Sequence, residues 1–475
     1  MLRMKGTRRI EKISATPLHT FAISDARQKY GGRNKIDKRM IKRLALIVIM
    51  AGMCLGCRAA ESGAAGRGSA AAAGYAGATV KTGLEVLVES GFAPLVGKRV
   101  GLVTNPSGVD RNLNSTVDIL AAAPGVELVA LFGPEHGVRG SEHAGEKVSG
   151  TPRDPATGLP VHSLYGATRK PTAEMLKGID VMVYDIQDNG CRSYTFISTL
   201  GLVMQACAQA GIEVVVLDRP NPLGGLQIDG PLPQEGCYSF VGMYPIPYIY
   251  GLTVGELATM INEEGMNRGQ KGRDNPVKCQ LTVVEMEGWS RDMLYDDTGL
   301  PWVMPSPHIP QAKTALCYPA SGVLGELGYL NIGVGYTLPF ELFGAEWIDS
   351  PSDLASRLNA LQLPGVRFRP IWYKPFYGGA AGKTLKGVQL YFTDFAAAQA
   401  SLVQFYVMQT VYEMYPSRRP FASQDQGKYA MFDKVMGGSR VRELFCRRNK
   451  VADILDYWNK DIGSFRALAR EYYRY

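Results

Sequence analysis

The sequence predicts an α/β protein: a layered domain built on a mainly parallel sheet, followed by a smaller α+β domain. Three observations carry this. From about residue 100 to 217, short apolar runs alternate with segments of helical periodicity, the pattern of βαβ units. The apolar runs show no polar alternation, as strands buried on both faces require. At 475 residues the chain exceeds what one core usually organises, and past Pro310 the alternation stops, so a second domain is expected there.

The elements follow in order. Leu84, Val86, Leu87 and Phe92 mark a short amphipathic helix, and residues 100–103 (V-G-L-V) a first buried strand that ends in Thr104-Asn105-Pro106-Ser107-Gly108. Residues 115–122 carry apolar side chains at helical spacing behind Ser115, an N-cap residue type. A strand over 128–132 stops at Gly133-Pro134. A short strand over 161–164, a helix over 172–177 behind Pro171 and a strand over 180–186 come next. The periodicity predicts a helix over 194–210 stopped by Gly211, a strand over 212–217, a helix over 253–263 opened by the Thr253-x-x-Glu256 capping box, and a last strand over 281–286. The proline-rich stretch 302–310 reads as the boundary between domains 82–306 and 307–475. Beyond it, strands are expected at 365–368 and 386–392, and helices at 353–361, 395–414 and 451–470.

Upstream of the folded region, residues 1–39 read as an extension before Met40. Residues 40–57 hold Lys42-Arg43, an apolar run too short to span a bilayer comfortably, and Leu55-Gly56-Cys57, which is similar to a lipobox with Cys57 as the lipidated residue. The Ala/Gly/Ser tract of 58–81 reads as a flexible tether. An exported protein is expected, periplasmic or membrane-anchored through a lipid.

Composition and motifs exclude several functions. The net charge of +8 is mild and partly N-terminal, and no nucleic-acid signature accompanies it. Neither G-x-G-x-x-G after the first strand nor a P-loop is present, so no nucleotide and no cofactor is expected. G-x-S-x-G is also missing. Six cysteines beyond the leader lack C-x-x-C spacing, so no zinc site is read.

Candidate chemistry sits at strand tips. Glu135/His136, Asp185/Asp188 and Asp218/Arg219/Asn221 each follow an apolar run, and a parallel sheet places such tips on one edge, where ligands of open α/β sheets bind. Glu135, beside glycine and under apolar cover, suits a general acid, with His136 orienting it. Paired with Asp185 or Asp188 it would form the two-carboxylate arrangement of glycoside hydrolysis. The same set could instead hold a divalent metal. Tyr244, Tyr248, Tyr250, Trp302, Tyr336, Trp347, Trp372 and Tyr373 are compatible with sugar stacking or with plain core filling.

The motifs Gly101-Leu102-Val103-Thr104-Asn105, Leu131-Phe132-Gly133-Pro134-Glu135-His136-Gly137, Ala144-Gly145-Glu146, Ser163-Leu164-Tyr165-Gly166, Tyr184-Asp185-Ile186-Gln187-Asp188, Leu217-Asp218-Arg219-Pro220-Asn221-Pro222 and Pro305-Ser306-Pro307 together resemble the NamZ-type exo-β-N-acetylmuramidases, glycoside hydrolase family 171. The resemblance runs from about residue 84 to the end. It implies a Rossmann-like N-terminal domain, a smaller C-terminal domain and a cleft between them. It also implies release of N-acetylmuramic acid from non-reducing ends of peptidoglycan fragments or muropeptides. By the same resemblance Glu135 is the catalytic acid. Asn105, His136, Asp185, Asp188, Arg219 and Asn221 would line the pocket, and Arg139, Glu146, Arg192, Tyr194 and Glu326 join them as candidate substrate contacts. Val334 stands where the family carries an arginine. If that arginine grips the lactyl carboxylate, a contact of about 1.5–3 kcal/mol is missing at that position. The alternatives are a non-catalytic cell-wall-binding lipoprotein and a metal-dependent hydrolase.

Overall fold

A computed structural model describes residues 80–140, 152–269, 272, 274–421 and 426–475. The leader, Cys57, the tether up to residue 79, and Glu146 lie outside the described residues. Val80 and Lys81 already belong to the folded unit: Val80 is fully buried, and Lys81 pairs antiparallel with Glu287.

Six strands make one parallel sheet: β1 (Arg99–Thr104), β2 (Glu127–Gly133), β3 (Val161–Ser163), β4 (Val181–Asp185), β5 (Glu213–Leu217) and β6 (Leu281–Val284). Their order is β3-β2-β1-β4-β5-β6, that of a Rossmann sheet, with the topological switch between β1 and β4. The uninterrupted apolar runs have a direct cause. Val181 and Val183 feed a cluster with Leu84, Leu87 and Leu120 on one face, while Met182 and Tyr184 feed a cluster with Leu200, Val203 and Met204 on the other. Successive side chains of a strand point to opposite faces, so both sets must be apolar.

On the second face lie α3 (Phe196–Ala210) and α4 (Val254–Glu263); α1 (Gly83–Glu89) and α2 (Thr116–Ala121) belong to the first. Gly211 ends α3 at φ 67°, the left-handed stop that a residue with a Cβ enters at a cost. The Thr253/Glu256 capping box opens α4, and Arg291 holds the same glutamate at 2.8 Å.

The remaining chain adds a three-stranded antiparallel sheet of β7 (Leu342–Ala345), β8 (Val366–Tyr373) and β9 (Leu385–Phe392), in the order β7-β9-β8. Helices α5 (Ala312–Leu327), α6 (Pro351–Ala360), α7 (Val403–Met414), α8 (Gln426–Met436), α9 (Arg440–Phe445), α10 (Leu455–Asn459) and α11 (Ile462–Arg470) complete this half, with Phe465 and Ala469 of α11 packing back against α3 and α4. One hydrophobic cluster runs from Tyr184 and Val216 through Ala320 and Val323 of α5 to Val388 and Phe405. The last residue returns to the first sheet, where the Tyr475 hydroxyl donates to Asp218 Oδ2 at 2.8 Å.

Four expectations are corrected. Residues 173–178 form successive turns, not a helix; six residues are too few to repay helix nucleation without packing. The helix expected from residue 395 begins at Val403, after a 3-10 turn at Ala400–Leu402. The segment 451–470 is broken into a 3-10 turn (Val451–Asp453), α10 and α11. Helix α5 escaped the reading because Pro319 stands inside it, and proline normally ends a helix. Here Gln404 of α7 packs against the helix just past the proline, donating to Pro319 O at 3.0 Å and accepting from Leu324 N at 3.0 Å.

Candidate active site

The site begins where β2 turns. Gly133 has no room for a side chain, since a Cβ there would lie 2.9 Å from Val138 N. The chain folds back through Pro134-Glu135-His136-Gly137, closed by Gly137 N donating to Pro134 O at 3.0 Å. His136 takes φ 74°, a left-handed conformation that turns usually assign to glycine and that non-glycine residues adopt at a cost. This corner leaves Glu135 half-buried and His136 buried. The exit of β3 is tied alongside by Leu164 N donating to Gly133 O at 2.7 Å. Tyr165 therefore stands next to Glu135; burial first, then the Glu135 charge, pushes the phenol up to about 12.

These residues open onto a cavity of about 660 Å³, the size of small-molecule sites. Glu135, His136, Tyr165 and Arg169 form one part of its wall, Ser193–Phe196 another, and Ser306 and His308 a third. Tyr318, Glu326 and Phe340 contribute from the second half of the chain, with Lys434 of α8. The aromatic portion interlocks edge to face: Tyr194 on Tyr318 at 5.7 Å and Tyr318 on Phe340 at 4.9 Å. Ser193 Oγ donates to Tyr248 Oη at 3.0 Å and lies 3.2 Å from Tyr318 Oη. The Tyr194 hydroxyl faces Ser306 without a well-aligned bond to it. Burial, then the neighbouring His136, lowers the His308 imidazole, whose Nε2 lies 2.9 Å from Tyr377 Oη.

Of the residues singled out in the sequence, Glu135, His136, Tyr194 and Glu326 line this cavity. The others are placed elsewhere. Asp185 is fully buried and chelated by Arg219, whose Nη2 donates to Oδ2 at 2.9 Å, with Thr116 Oγ1 on the same oxygen. Arg219 also donates to Val109 O at 3.0 Å. Asn105 donates to Pro305 O at 3.0 Å and accepts from Ser107 N at 3.0 Å. Asn221 spans Leu252 O and Leu223 N. Arg139 lies outside the cavity wall, paired with Asp154 at 2.8 Å and with Asp118.

Arg192 is fully buried and donates to the carbonyls of Pro231, Ile246 and Val435 at 2.7, 2.7 and 3.0 Å. Burial pulls it down to about 10, so it stays charged and staples α8 to two loops. Asp188 accepts from the Tyr250 hydroxyl and from Gly190 N at 2.8 Å. Burial outweighs those bonds and pushes its carboxyl up to about 6.

Sequence reasoning missed Tyr165, Arg169, Ser193, His308, Tyr318 and Lys434. Tyr165 and Ser306 sat in quoted motifs without a role, and α5 and α8, which carry Tyr318 and Lys434, were not read as helices. Val334, the position of the missing arginine, does not line the cavity.

Comparison with known proteins fits this architecture. A family model described as the N-terminal part of the exo-beta-N-acetylmuramidase NamZ matches residues 100–313, and one described as its C-terminal part matches residues 316–475. The chain is 43% identical over 396 residues to the peptidoglycan beta-N-acetylmuramidase NamZ of Bacillus subtilis strain 168, covering 83% of this chain and 91% of that protein. A crystal structure of a DUF1343 family protein from Bacteroides fragilis NCTC 9343 is similar with a TM-score of 0.78 at 54% identity, covering 84% of this chain and 99% of that one. A second DUF1343 structure from the same organism is similar with a TM-score of 0.66 at 27% identity, covering 83% and 99%. Matched in both halves and aligned over most of its length, the chain belongs to the NamZ exo-β-N-acetylmuramidase family.

Proposed function

We propose that this protein is an exo-acting glycoside hydrolase that releases N-acetylmuramic acid from non-reducing ends of peptidoglycan fragments. One observation carries the reading: the Glu135 carboxyl stands half-buried in the wall of a sugar-sized cavity, on a strained turn, in a chain 43% identical to a peptidoglycan β-N-acetylmuramidase.

The chemistry follows from the placement. Glu135 protonates the glycosidic oxygen as the bond to the anomeric carbon breaks, and the Tyr165 phenol, protonated throughout the working pH range, fixes its orientation. Among the described residues, Glu326 is the other carboxylate at the cavity wall. It is the protein group available to assist at the anomeric carbon or to position water; the substrate's own acetamido group is the alternative. Asp185 acts at a distance, because both its oxygens are engaged by Arg219 and Thr116. The aromatic wall of Tyr194, Phe196 and Phe340 supplies faces for the sugar ring.

Glu135→Gln is expected to keep the fold and to lose about 10²–10⁴-fold in turnover of a muramic-acid-terminated disaccharide. The loss should be smaller for a nitrophenyl muramide, whose leaving group departs without a proton. Near wild-type turnover of the disaccharide would remove Glu135 from the acid role.

Location is a second part of the proposal and rests on sequence alone. Lys42-Arg43, the apolar run and Leu55-Gly56-Cys57 support export and lipid attachment at Cys57, where two or more acyl chains give stable anchoring. A Cys57→Ser protein that stays as membrane-bound and detergent-dependent as the wild type would rule out lipidation there.

A further inference from the structure

Arg169 makes no hydrogen bond and no ion pair among the described residues, although it lines the cavity and its Nε is shut off from solvent without a partner. Its guanidinium is held only by aromatic faces, 4.3 Å from the Phe240 ring centroid and 6.0 Å from that of Tyr165. Stacking of this kind fixes the plane of the guanidinium but satisfies none of its five donors. A half-buried cation with an enclosed, unused donor is costly to keep. The Nε of Arg192 is enclosed without a partner as well, so the contrast lies in the terminal nitrogens: Arg192 fills them with three carbonyls, and Arg219 fills its own with Asp185 and Val109. Arg169 alone of the three faces the cavity.

Its position relative to the acid matters. The Tyr165 side chain meets Glu135 through its phenol and Arg169 through its ring, so one tyrosine separates carboxyl from guanidinium. Lys434, the other cation of the cavity wall, is solvent-exposed, and a hydrated ammonium discriminates less than a preorganised planar fork.

We propose that Arg169 is a specificity residue that binds the carboxylate of an acidic amino sugar, the lactyl group of N-acetylmuramic acid, by a paired charge-assisted contact. The inference rests on the muramidase reading and names the group that selects its substrate.

The test is calorimetric binding of N-acetylmuramic acid and N-acetylglucosamine, which differ only in the lactyl ether, to the full-length protein, Arg169→Gln and Arg169→Lys. The wild type is expected to prefer the acidic sugar by roughly tenfold to hundredfold, as a charge-assisted bond predicts. Arg169→Gln should erase that preference with binding of the neutral sugar changed less than about twofold, and Arg169→Lys should restore part of it. The methyl ester of N-acetylmuramic acid should bind the wild type and Arg169→Gln alike. Equal loss of both sugars would make Arg169 a packing residue. An intact preference in Arg169→Gln, or its disappearance in Lys434→Gln instead, would assign the carboxylate elsewhere. Turnover is read separately: a wild type that binds the acidic sugar selectively but releases none from a muramide overturns the muramidase reading and leaves the role of Arg169 standing.

Discussion

At the ends of β2 and β3, Glu135, Tyr165 and Arg169 face an open cavity; at the ends of β1, β4 and β5 in the same sheet, Asn105, Asp185, Arg219 and Asn221 bond to structural partners around them. Both rims carry acids, amides and an arginine, and both follow buried parallel strands. The difference is in how the arginines and amides named here are paired, since Gln187 Oε1, Asp188 Oδ1 and the Asn189 amide on the closed rim are also buried without partners among the described residues. Arg219 reaches Asp185 and Val109, and Asn105 and Asn221 each hold a carbonyl. On the cavity rim Arg169 has, among the described residues, ring faces only. Unfilled capacity beside a cavity, and not polarity at a strand tip, distinguishes the side that can take a ligand.

Substitution at Asp185 should separate the two rims most sharply. Asp185→Ala leaves the Arg219 guanidinium buried without its counter-charge, at 4% exposure. Losing one partner of a buried pair costs about 3–5 kcal/mol, which urea unfolding at neutral pH should register. Whatever fraction remains folded should keep sugar binding near the wild-type level. If instead a near-isosteric Asp185→Asn protein unfolds normally but has no turnover, Asp185 belongs to the chemistry and the contrast between the rims fails.

The parallel sheet was legible because period and burial agree: β1, β2, β4 and β5 each fall within a residue or two of the apolar runs that predict them. Glu135 was legible for the same reason, since Gly133-Pro134 marks the strand end that places it. What was not legible is occupancy. Asp185 and Glu135 look equivalent as letters, and only the register β1–β4, which brings Thr104 opposite Asp185, and the reach of Arg219 across from β5 make one of them structural. The second half was harder for a local reason. Pro319 hides α5, and α5 and α8 carry Tyr318, Glu326 and Lys434 of the cavity wall.

A smaller effect concerns Asp188, fully on the closed side but next to the aromatic wall. Burial raises its carboxyl from 3.8 to about 6. Below about pH 3 the group is neutral in both folded and unfolded chains and carries no penalty. As pH rises toward 6 and beyond, the unfolded chain ionises first, so stability is lost through that window, amounting to about 3 kcal/mol for two pH units. Asp188→Asn removes the ionisation and still offers an oxygen to Tyr250 and Gly190. The unfolding free energy of the variant relative to the wild type should therefore climb by about 3 kcal/mol between about pH 3 and pH 7. Asp218, raised to about 6 by the same burial, is present in both proteins and cancels. A difference independent of pH would show that Asp188 is neutralised or solvated by other means.

The smallest effect is expected at the one residue that joins the two rims. Asn105 sits at the end of β1, inside the closed network, yet its Nδ2 donates at 3.0 Å to Pro305 O, immediately before Ser306 and close to His308 in the cavity wall. Its Oδ1 accepts from Ser107 N and Oγ. Asn105→Ala removes that donor without burying a charge, and with it the acceptor that Ser107 uses. Loss of these bonds should cost about 1–2 kcal/mol of stability. Because the bond to Pro305 O pins the strap bearing Ser306 and His308, substrate KM should rise a few-fold with kcat nearly unchanged, the pattern of a positioning residue whose loss loosens the wall without touching the acid. A kcat loss of a hundredfold or more at intact stability would instead put Asn105 against the substrate, and the closed rim would have to be redrawn as part of the cavity.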